Sequence, residues 1–148
     1  MELIIKEDPE LMQKRIRAVL ALRDTSVKVG LPDKAGDRLH FILAVQEHGS
    51  PIKHIPSRPV IQPALRKRVV REAMASAMKE AVRTAWEGND PRDQLEEVGR
   101  AGADGIRKYI DSHIPLPNSP LTVEGKGFNK PLFDTGALYN AFDYEIEE

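Results

Sequence analysis

The sequence predicts an α+β fold in which a small, mostly antiparallel sheet packs against a long antiparallel pair of helices. Short segments that predict strands lie near both ends of the chain, and in the last of them apolar and polar residues alternate. Between them, two long segments with apolar residues at helical spacing predict the helices, and only three residues, 88–90, separate the two. The 148 residues, 41% hydrophobic and 30% charged, are typical of one globular domain spanning 1–148.

The first predicted elements are a strand, a helix and a second strand. Residues 2–6 (ELIIK) predict the first strand. Asp8 is the expected N-cap of the helix and Pro9 its first residue, because Pro is favoured at that position. Residues 25–31 (TSVKVGL) predict the second strand, which ends near Gly30.

Residues 39–49 (LHFILAVQEHG) predict a short helix, with a buried strand as the alternative, because the apolar run lacks clean alternation. Gly49 lies where a glycine commonly follows a helix. Four prolines follow between Ser50 and Pro63. Since each fixes φ and removes an amide donor, we expect residues 50–63 to form an extended loop.

One long helix is predicted from Pro63 to Gly88. Its apolar residues fall on two adjacent i, i+4 rows, which predicts a broad buried stripe. One row comprises Leu65, Val69, Ala73, Ala77, Ala81 and Ala85, and the other comprises Val70, Met74, Met78, Val82 and Trp86. The alanine row would allow another helix to approach closely.

The second long helix is predicted to start at Asp90 and Pro91, which repeat the N-cap signature. It contains three glycines, Gly99, Gly102 and Gly105, each about 1 kcal/mol less favourable than alanine inside a helix. We expect these glycines to permit close approach of a neighbouring element, and the alanine row of the preceding helix is the expected neighbour.

The C-terminal third is predicted to begin as an extended arm, because residues 115–133 are rich in Pro, Gly and Asn. A short helix is expected within residues 134–142, with Asp134 or Thr135 as its cap. Residues 142–148 (FDYEIEE) alternate in polarity and predict the last strand.

Composition excludes several classes of function. The formal net charge of −1 gives no overall field that would attract nucleic acid or an anionic membrane. The absence of cysteine excludes disulfides, thiol catalysis and cysteine-based zinc sites. No run approaches the roughly 18 apolar residues of a membrane span, and the first ten residues do not resemble a signal peptide. We therefore expect synthesis in a cytoplasm and no membrane partner.

Glu47, His48 and His54 are the residues that first suggest chemistry, as a metal or acid–base site. The two histidines lack the i, i+4 spacing that places two ligands on one helix face, and His40 and His113 lie far away in sequence. Signatures of hydrolases, of phosphate-binding loops and of dinucleotide-binding loops are missing. We expect no catalytic residue, cofactor or metal, and keep a metal-dependent enzyme using Glu47, His48 and His54 as the alternative.

The largest basic cluster in the sequence comprises Arg66, Lys67, Arg68 and Arg71. Such a run is compatible with contacts to DNA phosphates. More often it is a solvated helix face, which is the interpretation favoured here. A protein that lines a DNA channel would carry such a face, so these residues are a candidate DNA-channel surface.

Two separated stretches together resemble a pattern found in neck and tail-completion proteins of tailed bacteriophages. The first has a Val-Gly strand, an apolar segment ending in Glu-x-Gly-Ser, and an Ile-Pro-x-Arg-Pro motif that leads into a long helix. It corresponds here to Val29-Gly30, Glu47 to Ser50 and Ile55 to Pro59. The second corresponds to Pro120 to Thr122, Lys126-Gly127 and Pro131 to Leu138. Such proteins usually carry Phe where His48 and Val60 stand.

The resemblance implies a virion structural protein without catalysis, made in the host cytoplasm and located in the neck or tail region. It implies a closed ring of sixfold or twelvefold symmetry, with a head-closure or connector protein on one side and a tail terminator or tail tube on the other. A tail terminator ring is the alternative level. The expected interface residues are Glu47, Ile55, Pro56, Arg58, Pro59, Leu121, Lys126, Phe128 and Leu132.

Overall fold

A computed structural model describes residues 8–112 and 136–148, and it confirms the α+β class. The predicted strand at residues 2–6 and the predicted arm at residues 115–133 lie outside the described residues. A 3₁₀ turn, Asp33–Ala35, follows the first strand. The other elements in chain order are α1 (Pro9–Arg23), β1 (Ser26–Gly30), α2 (Asp37–His48), α3 (Ile61–Arg66), α4 (Arg68–Trp86), α5 (Arg92–Ser112), α6 (Ala137–Ala141) and β2 (Asp143–Glu147).

The described sheet has two antiparallel strands, β1 and β2. Val29 lies opposite Tyr144, and both side chains contact α5, which packs on this face of the sheet. The neighbouring pair, Lys28 opposite Glu145, points to the other face because side chains alternate along a strand. The apolar–polar alternation in residues 142–148 therefore places one apolar face on α5 and one charged face in solvent.

The three glycines of α5 are sites of close approach, as the sequence predicts, but the predicted neighbour is wrong. A Cβ at Gly102 would lie 2.8 Å from Cγ1 of Val29, and a Cβ at Gly99 would overlap the ring of Tyr144. A Cβ at Gly105 would lie 2.7 Å from Cγ2 of Val70. Gly99 and Gly102 thus allow the sheet to approach α5 closely, and Gly105 allows the first turn of α4 to do so. None of the three lies against the alanine row of α4.

The predicted single helix from Pro63 to Gly88 is wrong at one point, because the chain breaks it into α3 and α4. Lys67 is the junction, with φ −58° and ψ 133°, which is extended backbone. The break lets α3 turn toward the core, where Ala64 is completely buried together with Val60, which immediately precedes the helix.

The buried stripe of α4 is narrower than predicted. Ala77, Ala81 and Ala85 are buried, whereas Met78, Val82 and Trp86 remain 38%, 40% and 37% exposed and Val69 is 77% exposed. Helix α1 packs against α4, with the guanidinium of Arg15 5.5 Å from the centre of the Trp86 ring, but it contributes no fully buried residue. The second apolar row is therefore only partly covered by the described residues.

The core forms where α2, α3, α5 and α6 meet. Its buried members are Leu43, Val60, Ala64, Ile106, Ile110, Leu138 and Phe142.

Two helix ends predicted from the sequence are confirmed. At the start of α1 the Asp8 carboxylate accepts a hydrogen bond from the Glu10 amide at 3.0 Å, and α2 ends immediately before Gly49.

The C-terminal elements are confirmed as a short helix followed by a strand. Helix α6 follows Gly136, which has φ 71°, and the predicted caps Asp134 and Thr135 lie outside the described residues. Among the helices of residues 8–112 and 136–148, none combines the length and apolar character needed to cross a lipid bilayer.

Candidate docking loop

The segment that carries the first part of the resemblance folds into a loop, residues 49–60, which we call the docking loop. It leaves α2 at Gly49 and enters α3 at Ile61. Glu47, in the last turn of α2, holds the far end of the loop: its Oε1 accepts from the amides of Val60 at 2.8 Å and Ile61 at 3.0 Å. These are amides at the start of α3 that lack helical partners, and a carboxylate also complements the helix dipole there.

Gly49 allows the base of the docking loop to close on the end of α2. It has φ 73°, and a Cβ at this position would lie 2.7 Å from the Ile55 carbonyl oxygen and 2.8 Å from the Ser57 nitrogen. The Ser57 hydroxyl donates to the Glu47 carbonyl at 2.6 Å, and the Arg58 amide donates to the Gln46 carbonyl at 2.6 Å. Because these contacts involve backbone atoms, they fix the path of the chain rather than one side chain.

The tip of the docking loop, residues 51–54, projects from a base that backbone hydrogen bonds between Ser50 and Ile55 close. The Ser50 amide donates to the Ile55 carbonyl at 2.8 Å, and the Ile55 amide donates back to the Ser50 carbonyl at 2.9 Å. His54 adopts φ 53°, and its amide donates to the Pro51 carbonyl at 3.3 Å. Ile52 is 89% exposed, the highest value among the exposed large apolar residues of the described chain. The tip thus presents one isoleucine on a hydrogen-bonded base.

The expected interface residues of this loop have different positions in the subunit. Pro56 is exposed, Ile55 and Pro59 are half-buried, and Arg58 is only 7% exposed. Arg58 therefore belongs to the interior of the folded chain. Glu47, also an expected interface residue, uses its carboxylate to cap α3.

Sequence reasoning missed Ile52. The signal in the sequence was an isoleucine between Pro51 and Lys53, inside the segment that was expected to form an extended loop. The remaining expected interface residues, Leu121, Lys126, Phe128 and Leu132, lie outside the described residues.

The histidines next to this loop do not assemble a site with Glu47. His48 and His54 are exposed, and within residues 8–112 and 136–148 no group of three or more His, Asp or Glu residues is arranged to hold a metal ion. His40 serves the fold, since its Nε2 lies 3.1 Å from the Pro32 carbonyl and links α2 to the turn after β1. His113 lies outside the described residues.

The basic run does not form a single helix face, because the break at Lys67 divides it. Arg66 ends α3, whereas Arg68 and Arg71 lie in the first turn of α4. Arg68 pairs with Glu72 at 2.7 Å, and Nζ of Lys67 lies 5.9 Å from the centre of the Tyr109 ring. All four basic side chains are exposed, so the surface remains accessible to a polyanion.

Comparison of the chain with protein-family models, with curated proteins and with solved structures finds no match. The function is therefore inferred from the residues and their geometry.

Proposed function

We propose that this chain is a virion structural protein of a tailed phage, a ring subunit of the neck that completes the tail and joins the head connector to it. The observation that carries the proposal is the docking loop. Three of the residues that resemble the phage pattern, Glu47, Gly49 and Arg58, close its base and fix its exit into α3. The pattern therefore describes one physical device, a rigid base with an exposed tip.

Such a device suits a subunit that must bind neighbours on several sides. A loop whose backbone is already fixed loses little conformational entropy on docking. Ile52 offers an apolar side chain that a pocket on the neighbour would desolvate, which contributes about 1.5–3 kcal/mol for full burial. In a closed ring each contact joins two different faces, so the loop of one subunit meets a surface elsewhere on the next subunit or on an adjoining ring.

The proposed partners are further copies of this chain, a head-closure or connector protein on one side and a tail terminator or tail tube on the other. The candidate DNA-channel surface, Arg66, Lys67, Arg68 and Arg71, would give non-specific, salt-sensitive contact with duplex DNA passing through the ring.

The proposal is tested by disabling the gene in the phage that encodes the chain and supplying variants in trans. Electron microscopy of the lysate should show filled heads and separate tails without the protein, and joined, infectious particles with the wild-type chain. Ile52→Asp should fail to restore joining, whereas Lys53→Ala, which changes the adjacent exposed tip residue, should restore it.

Normal infectious particles without the protein would refute the proposal. The enzyme alternative predicts instead that the purified protein carries stoichiometric zinc, manganese or iron, which elemental analysis measures directly.

A further inference from the structure

The break between α3 and α4 occurs where no residue requires it. Residues 64–71 (ALRKRVVR) contain neither Pro nor Gly, and most of them are good helix formers. Yet Lys67 has ψ 133°, and its own amide donates to the Ala64 carbonyl at 3.1 Å in a tightened last turn of α3. Local sequence preference therefore favours a continuous helix that the folded subunit does not form.

The start of α4 is also electrostatically unfavourable. No side chain caps it and no acidic residue lies in its first turn, which instead carries Arg68 and Arg71. Positive charge is disfavoured at the N-terminus of a helix, where the amide dipoles already present a partial positive charge. In a continuous helix the amides of residues 68–70 would donate to the carbonyls of residues 64–66, and both helix ends would disappear.

Tertiary contacts hold the broken arrangement. Ala64 and Val60 are 0% and 2% exposed in the core, and the Glu47 carboxylate caps the start of α3. The Lys67 ammonium near the Tyr109 ring adds a further contact at the junction. The break thus balances favourable burial of α3 against an unfavourable start of α4, which is the condition for a two-state element.

We propose that Lys67 is a hinge at which α3 and α4 join into one continuous helix when the subunit docks. This inference rests on the proposed function for its trigger, whereas the two-state behaviour belongs to the free subunit. Joining the helices takes α3 off the core and opens the hydrogen bonds from the Val60 and Ile61 amides to Glu47. The bonds that close the base of the loop, Ser50 to Ile55 and Arg58 to Gln46, stay in place.

Arg68→Pro locks the broken state, and Arg68→Ala is its matched control. Proline fits the first position of α4, and it favours an extended conformation at the preceding residue, which Lys67 already has. In a continuous helix the same proline would remove a hydrogen bond and clash with the preceding turn. We expect the free Arg68→Pro subunit to unfold at the same temperature as Arg68→Ala, or higher; clearly lower stability would refute the hinge.

Hydrogen exchange of the amides of residues 68–70 reports the joined state in the purified full-length protein. Ala64→Glu disfavours burial of α3, so these amides should become at least tenfold more protected while the helical circular dichroism is retained. Adding Arg68→Pro should abolish that protection. If Ala64→Glu instead lowers the helical signal and leaves residues 68–70 unprotected, α3 melts rather than joining α4, and the hinge is refuted.

Complementation separates the hinge from the proposed function. If the hinge acts in assembly, Arg68→Pro restores far fewer infectious particles than Arg68→Ala, which lacks the same charge of the candidate DNA-channel surface. Restoration by both variants would refute the assembly role of the hinge while leaving the neck function standing. If the wild-type chain proves dispensable for joining, the neck function and the docking trigger both fail, and the hydrogen-exchange result still decides the two-state behaviour.

Discussion

Replacing Glu47 by alanine should destabilise the subunit by about 2–4 kcal/mol. The carboxylate accepts two backbone hydrogen bonds, at 2.8 and 3.0 Å, in a partly buried position. Hydrogen bonds to a charged acceptor are worth about 1.5–3 kcal/mol each, and the two share one oxygen, so their contributions do not add fully. Glu47→Gln keeps an acceptor but loses the charge at the helix start, and should cost about 0.5–1 kcal/mol.

Urea denaturation followed by circular dichroism measures these differences, with stability taken from the midpoint at constant slope. Glu87→Ala is the matched control, because Glu87 is an exposed glutamate that follows α4. We expect the control to change stability by no more than about 0.5 kcal/mol. If Glu47→Ala is as mild as Glu87→Ala, the docking loop is not held by the carboxylate and the account of its base is wrong.

Two further perturbations test the geometry. Gly49→Ala should lower the free energy of unfolding by about 2–4 kcal/mol, because the new Cβ overlaps backbone atoms at a residue with positive φ. Gly36→Ala is the control: φ is 87° there, but the new Cβ meets open space, so the loss should be only about 1–2 kcal/mol. Equal losses of stability in thermal unfolding would show that the overlap at Gly49 does not matter. Burial, and then the hydrogen bond donated to Asp111 at 3.0 Å, raise the pKa of Tyr139 above its ordinary value of about 10. The protonated Tyr139 hydroxyl therefore stabilises the fold fully below about pH 10, and this stabilisation is lost as the pH rises through the pKa of the folded state. The difference in stability between wild type and Tyr139→Phe should shrink on alkaline titration. A difference that grows with pH would refute this.

Local chemistry was sufficient to predict most elements. Asp8 with Pro9 marks the start of α1, Gly49 marks the end of α2, and the alternation in Asp143–Glu147 predicts β2. Each of these signals acts within a few residues, because capping and strand alternation depend on near neighbours. The sequence therefore carries them without knowledge of the fold.

The break at Lys67 could not be predicted in that way. It arises because Val60 and Ala64 pack against Ile106 and Ile110, some forty residues further along the chain. The same applies to the close neighbours of the α5 glycines, since Tyr144 reaches Gly99 only through the pairing of β2 with β1. The glycine spacing in α5 predicted that another element packs closely against this helix, but not which element it is.

For the candidate site, the sequence singled out the loop segment but did not indicate which of its residues shape the loop and which lie exposed at its tip. Glu47 and Arg58 were expected to face partners, but the first caps α3 and the second is buried. Ile52, at the exposed tip, was not among the expected residues. A sequence pattern does not distinguish residues that shape a loop from residues that it exposes, and the structure shows that Glu47 and Gly49 shape this one.

The docking loop and the proposed hinge are linked through α3, because Glu47 caps the start of this helix and Lys67 follows its end. Full burial of Ile52 in a neighbour supplies about 1.5–3 kcal/mol, which is comparable to the two hydrogen bonds that hold α3 to Glu47. Joining also removes Val60 and Ala64 from the core, so the burial of one Ile52 does not offset everything that holds the broken state. Closing a ring engages every loop together, and contacts on both sides of each subunit add to the same balance. If the hinge operates as proposed, the free subunit keeps its helix broken, and joining requires neighbours on both sides.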